Sequence, residues 1–243
     1  MKFLPLVSSV LIVCRIAYGS ELPEPASLEK LAKVPASQFT KSINASESPD
    51  KRFVAAVGSP DGAAPKWVKT HHGPKDVSYV LESVEGHCRN YLVDMKTDRV
   101  TAILEAEHFG TGTQYNHESA LHAWSANARW LIEIQSWKWA TGPCSLHRIN
   151  EAGGIVASYD LMTTAREAVA AELAKKGINS AEDYAVSVPS AEVSDGGSIT
   201  LEVTGEVPKD PDTPFVSLSV RGAATLGANK DLSVKITGSK PME

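Results

Sequence analysis

The last third of the chain alternates between apolar and polar positions. Val186 and Val188, then Ile199, Leu201 and Val203, then Val216, Leu218 and Val220, then Leu232, Val234 and Ile236 recur at every second residue. Polar or small residues fill the gaps. A period of two sends one set of side chains to a buried face and the other to water, so it predicts four antiparallel strands with one wet face. Asp195-Gly196-Gly197 and the stretch from Pro208 to Pro214 supply turns. Just upstream the spacing becomes helical. Ala165, Ala168, Val169, Glu172 and Leu173 form a mainly small apolar stripe. Thr164-Ala165-Arg166-Glu167 has capping-box spacing, Lys175 and Lys176 suit the negative end of the helix, and Gly177 is a natural stop. Residues 159–243 are therefore expected to form a helix packed on a four-stranded antiparallel sheet.

Residues 51–158 read as a second β-rich region. Phe53 to Val57 is a short apolar run followed by the turn residues Ser59-Pro60-Asp61-Gly62. Tyr79 and Val80 begin another. Tyr91-Leu92-Val93-Asp94 and Arg99 to Leu104 flank Met95-Lys96-Thr97-Asp98, the pattern of a hairpin. Ala123-Trp124-Ser125 leads through Ala126-Asn127-Ala128 into Arg129 to Ile134, a further strand.

Over residues 78–150, two of these elements resemble blades of TolB-type and WD-like β-propellers. One is the hairpin Tyr91-Leu92-Val93-Asp94 with Thr97-Asp98-Arg99-Val100. The other is Trp124-Ser125-Ala126-Asn127-Ala128-Arg129-Trp130-Leu131, similar to the family's Trp-Ser-Pro-Asp-Gly-Lys-Trp-Leu. Ala126 stands where proline is usual and Ala128 where glycine is usual. With Asn116-His117 before this element and Lys138-Trp139 after it, the region is also similar to a group of secreted bacterial proteins of no assigned activity. The resemblance implies blade-like antiparallel sheets and no reaction. A closed propeller needs at least four blades, and no second full copy recurs at a blade-like period. The fold class expected for the chain is thus mostly β (α+β), with a blade-like sheet region ahead of the helix and its sheet.

The N-terminus changes the picture of where the protein works. Lys2, the apolar run Phe3 to Val13 and Ala17-Tyr18-Gly19 follow the order of a secretory signal peptide, so residues 1–19 are expected to be removed on export. The apolar run is too short for a membrane span, which takes about 20 residues. Residues 20–50 have few large apolar groups beyond Leu28, Leu31 and Val34, and read as a mobile lead-in. Removing Lys2 and Arg15 from 24 basic residues leaves 22 against 29 acidic ones. That balance argues against nucleic acid as a partner, since phosphate neutralisation needs clustered Lys and Arg. With Cys14 gone, Cys88 and Cys144 remain as an even pair, and export favours a bridge between them.

Candidate chemistry is scattered. His108, His117 and His122 are the weak metal candidates among seven histidines. His117-Glu118-Ser119-Ala120-Leu121-His122 spaces its histidines five apart, whereas the zinc-protease motif needs four to stack both rings on one helix face. Gly58-Ser59-Pro60-Asp61-Gly62 misplaces the serine of a nucleophile elbow. Lys230 sits three residues beyond Gly227, where a phosphate loop needs it adjacent. Trp137 and Trp139 share one strand face and offer a possible stacking surface for a sugar or a protein. No catalytic residue and no cofactor is assigned. The expected function is a non-enzymatic exported module that binds a protein or carbohydrate in the periplasm or outside the cell. The rival expectation is a secreted hydrolase using histidines or carboxylates of residues 105–122.

Overall fold

The structure, a computed structural model, describes residues 28, 33, 35, 40–41, 47–58, 66–73, 76–82, 87–109, 119–136, 141–177, 184–206 and 216–242. Of these, 40–41, 57–58, 66–73, 76–82, 87–88, 107–109 and 119 are described by their backbone alone. Three four-stranded antiparallel sheets account for most of the molecule. The first holds β1 (Thr40–Lys41), β2 (Phe53–Gly58), β5 (His87–Asp94) and β6 (Arg99–Phe109), adjacent in that order. Strands β3 (Lys66–Gly73) and β4 (Asp76–Glu82) pair separately as a hairpin. The central sheet is a meander of β7 (Ser119–Trp124), β8 (Trp130–Ser136), β9 (Thr141–Ile149) and β10 (Ile155–Asp160). Helix α1 (Leu161–Lys175) follows directly. A second meander of β11 (Ala185–Val193), β12 (Ser198–Glu206), β13 (Val216–Leu226) and β14 (Leu232–Pro241) closes the chain.

The mostly β class, with a helix followed by a four-stranded antiparallel sheet, holds. Within the central sheet β8 is buried on both faces, which explains why it reads as a nearly unbroken apolar run. Trp130, Ile132 and Ile134 of β8 join Cys144 and Leu146 of β9 in the largest apolar cluster, together with Leu161, Val169 and Leu173 of α1 and the inward residues of β11 to β13. Leu131 and Ile149 point the other way and meet Phe53, Ala55, Leu92 and Leu104 of the first sheet. The cluster around Trp130 thus crosses the boundary expected at 158/159, so the helix with its sheet shares its core with the region before it.

Local details depart from the sequence expectations in instructive ways. The helix is capped by Asp160, four residues ahead of the capping box read at Thr164. Its carboxylate accepts the backbone N–H groups of Met162 and Thr163 at 2.8 and 3.3 Å, and the Thr163 hydroxyl at 2.7 Å. Thr164 is instead buried with Leu161 and Met162, where a cap has no place. The lead-in contributes structure as well. β1 pairs with β2, and the Ser48 hydroxyl accepts the Phe53 N–H at 2.9 Å while donating to Asp50. Ala128 adopts a left-handed backbone, φ 55°, which is the physical reason glycine suits that turn position. Gly227 and Lys230 close the β13–β14 hairpin, so they belong to a turn between strands.

Gly205 on β12 lets α1 settle on the sheet. A Cβ built there would lie 2.6 Å from Cγ1 of Val169. Gly205→Val should therefore lower the urea midpoint, costing about 1–3 kcal/mol through overpacking. Gly238→Val on β14 should leave the midpoint nearly unchanged, because a Cβ there meets no described atom within 4 Å.

Candidate functional site

Glu133 is the one charge in the apolar run of β8. It lies on the face of the central sheet that the first sheet covers, and its side chain is fully buried. The pleat explains the placement. Residues 131, 133 and 135 alternate with the tryptophan and isoleucines of the helix-facing cluster. Pairing registers then set its neighbours. His122 of β7 lies directly across the ladder on one side and Ser145 of β9 on the other. His147 is two residues along β9, within the diagonal reach of cross-strand side chains.

The first sheet completes the cage. Asn90 of β5 donates its side-chain amide to Glu133 Oε1 at 3.1 Å and lies 3.3 Å from Nε2 of His122. Glu133 Oε2 accepts the backbone N–H of Glu105 at 2.8 Å. That donor is available because β6 bulges. Arg89 pairs with Glu107, but Tyr91, two residues on, pairs with Ile103, so β6 spends four residues where β5 spends two. The two imidazoles face separate carboxylate oxygens, Nε2 of His122 at 3.7 Å from Oε1 and Nε2 of His147 at 3.5 Å from Oε2. Burial opposes ionisation of Glu133, but the contacts from His122 and His147 outweigh it and hold the carboxyl well below the usual carboxylate range.

Two arms lead outward from this centre. Ser145 donates to the carboxylate of Glu105, an exposed residue. Nδ1 of His147 lies 2.8 Å from the hydroxyl of Ser158, exposed on β10. Buried polar atoms thus connect the two sheets from one surface edge to the other. Such a cage can fix the spacing and register of the sheets, because an unpaired carboxylate between them would cost several kcal/mol.

The residues singled out from the sequence fall differently. Only His122 joins the cage. His108 lies on β6 with its backbone alone described, while His117, Trp137 and Trp139 fall outside the described residues, as do Asn116 and Lys138. Residues 119–124 form a strand, so His122 stands on a strand and not on a helix. Among the described residues no group of three His, Cys, Asp or Glu is arranged to hold a metal ion.

The expected Cys88–Cys144 bridge is corrected. Cys144 is a free, buried thiol in the cluster that faces α1, whereas Cys88 belongs to β5 of the sheet covering the opposite face of β9. Alternation along β9 turns Cys144 away from that sheet. Burial, with the charges of Asp160 and Glu133, pushes its thiol up to about 12.

Sequence reasoning passed over Glu133, His147, Asn90 and Ser145. The available signal was a charge inside Trp130-Leu131-Ile132-Glu133-Ile134, where a strand buried on both faces demands a partner for it. No protein-family model matches this chain, and no curated protein matches it.

Glu133→Gln should lower stability by about 3 kcal/mol, the scale of breaking a buried charged contact. Because the folded-state value of Glu133 is depressed, its contribution is present above the unfolded carboxylate value near 4.3 and is lost progressively as pH falls from there towards the folded value. Urea midpoints measured from pH 7 to pH 3 should fall less steeply for Glu133→Gln than for the wild type. Parallel slopes would remove Glu133 from the account of acid sensitivity.

Proposed function

We propose that this chain is an exported, non-enzymatic binding or interaction module that works in the periplasm or outside the cell. The observation that supports it is the inaccessibility of its titratable centre. The side chains of His122 and Glu133 have no solvent exposure and that of His147 has 1%. Acid–base catalysis requires a group within hydrogen-bond reach of a substrate proton. A centre sealed between two sheets meets water and substrate only through its ends. Its chemistry suits holding a scaffold rigid, and rigid sheets carry loops that bind. The residues that order the first nineteen positions like a secretory signal support export.

One arrangement favours a hydrolase as the second reading. Ser158, His147 and Glu133 form a line from surface to interior, with the connectivity of a serine acyl-transfer triad. Two features count against it. The inner contact is 3.5 Å long and is not a hydrogen bond, and the concavity beside Arg148 is lined by neither Ser158 nor His147.

Both readings meet in one experiment. A fluorophosphonate probe, which captures activated serines, should leave Ser158 unlabelled, and a panel of ester, peptide and glycoside substrates should give no turnover. Labelling of Ser158 that disappears in Ser158→Ala, or turnover lost in that variant, would overturn the non-enzymatic reading. For export, mass spectrometry of the protein recovered from outside the cytoplasm should find Ser20 at the N-terminus. A chain still beginning at Met1 and retained in the cytoplasm would refute it.

A further inference from the structure

Arg129 and Arg148 come together at the far end of the central sheet, beside the β9–β10 turn. They line an open concavity of about 330 Å³ with Ile149, Asn150, Glu151 and Val156. Arg129 immediately precedes β8, and Arg148 stands near the end of β9. Arg148 is held in place by its surroundings. Its guanidinium lies 4.6 Å from the centre of the Trp130 ring, and it donates to the backbone carbonyl of Arg129 at 3.2 Å. Trp130 is itself fixed, its indole N–H donating to the carbonyl of Asp195 at 3.2 Å. Burial lowers the basicity of Arg148, and the neighbouring Arg129 lowers it further.

The charge balance here is incomplete. Arg129 pairs with Glu151 at 2.9 Å, but Glu151 is 86% exposed, and such a surface pair is weakly held. Among the described residues, no acidic side chain pairs with Arg148. A chain with a net charge of −5 thus gathers two cations and one loosely held anion around a hollow. Two adjacent guanidinium groups repel each other until an anion bridges them, and the planar fork of arginine matches the paired oxygens of carboxylate and phosphate. Ile149 and Val156 give the hollow an apolar flank.

We propose that this concavity is a binding site for a small oxyanion, a carboxylate or phosphate group on a low-molecular-weight ligand. Arg148 is the preorganised anchor and Arg129 the second arm. Glu151 occupies Arg129 in the empty state and is displaced by the ligand. The proposal rests on reading the chain as a binding module and names the ligand chemistry that module takes.

Isothermal titration of the full chain at low salt, with inorganic phosphate in one arm and malonate in the other, tests it. At least one probe should bind saturably, and the arm that responds identifies phosphate or carboxylate as the preferred group. Arg148→Gln and Arg129→Gln should each weaken binding about tenfold, the scale of one charge-assisted hydrogen bond. Glu151→Gln should tighten it by about threefold, because the competing carboxylate is gone. Arg148→Gln disturbs packing on Trp130, so Arg129→Gln and Glu151→Gln, which alter only the exposed pair, carry the test if that variant fails to fold. No saturable binding of either probe, or equal affinity in the wild type and the Arg129→Gln and Glu151→Gln variants, would overturn the proposal. That result would leave the non-enzymatic reading standing, since labelling of Ser158 decides it separately.

Discussion

The layered arrangement depends on one carboxylate kept ionised in a dry place. Glu133 sits where two sheets meet, and each sheet contributes to its solvation: Asn90 and the Glu105 N–H from one, His122 and His147 from the other. The apolar half of the same interface, around Leu131, Phe53 and Leu92, would tolerate sliding, since hydrophobic contact is non-directional. The polar half does not. Its donors satisfy Glu133 in one register only, so the carboxylate supplies specificity that the apolar contacts lack.

The bulge in β6 follows from this requirement. Glu105 lies in the stretch of β6 that has no register partner on β5, and its N–H is the shortest contact of Glu133 Oε2. The strand gives up local pairing to complete the cage. The same trade between regularity and packing recurs elsewhere. Gly205 gives up a side chain so that α1 can approach β12, and Ala128 accepts a left-handed backbone while its methyl packs with Leu131 and Ile149.

Periodicity made much of the fold legible. The four C-terminal strands, the helix ending before Gly177 and the hairpin around Met95 to Asp98 were each readable, because alternation and turn chemistry are local properties. Readings that needed knowledge of the tertiary environment were less secure. The box at Thr164 looked like a cap, but Asp160 was better placed once Thr164 was committed to the core. Ile236 alternated like an inward residue, yet it is 40% exposed because β14 is an edge strand. The site was barely readable. Its members come from β5, β6, β7, β8 and β9, and no linear spacing links Asn90 to Glu133 or His147. The charge in β8 was visible, but its significance depended on knowing that both faces of that strand are covered.

The position of Cys144 sets what its sulfur can do in the folded chain. A sulfur enclosed among Ile132, Leu146 and the helix, with its proton tightly held, presents almost no thiolate to an oxidant. In the folded chain this sulfur is therefore closed to oxidants and to a cross-linking partner. What this position contributes is apolar contact between the central sheet and the helix.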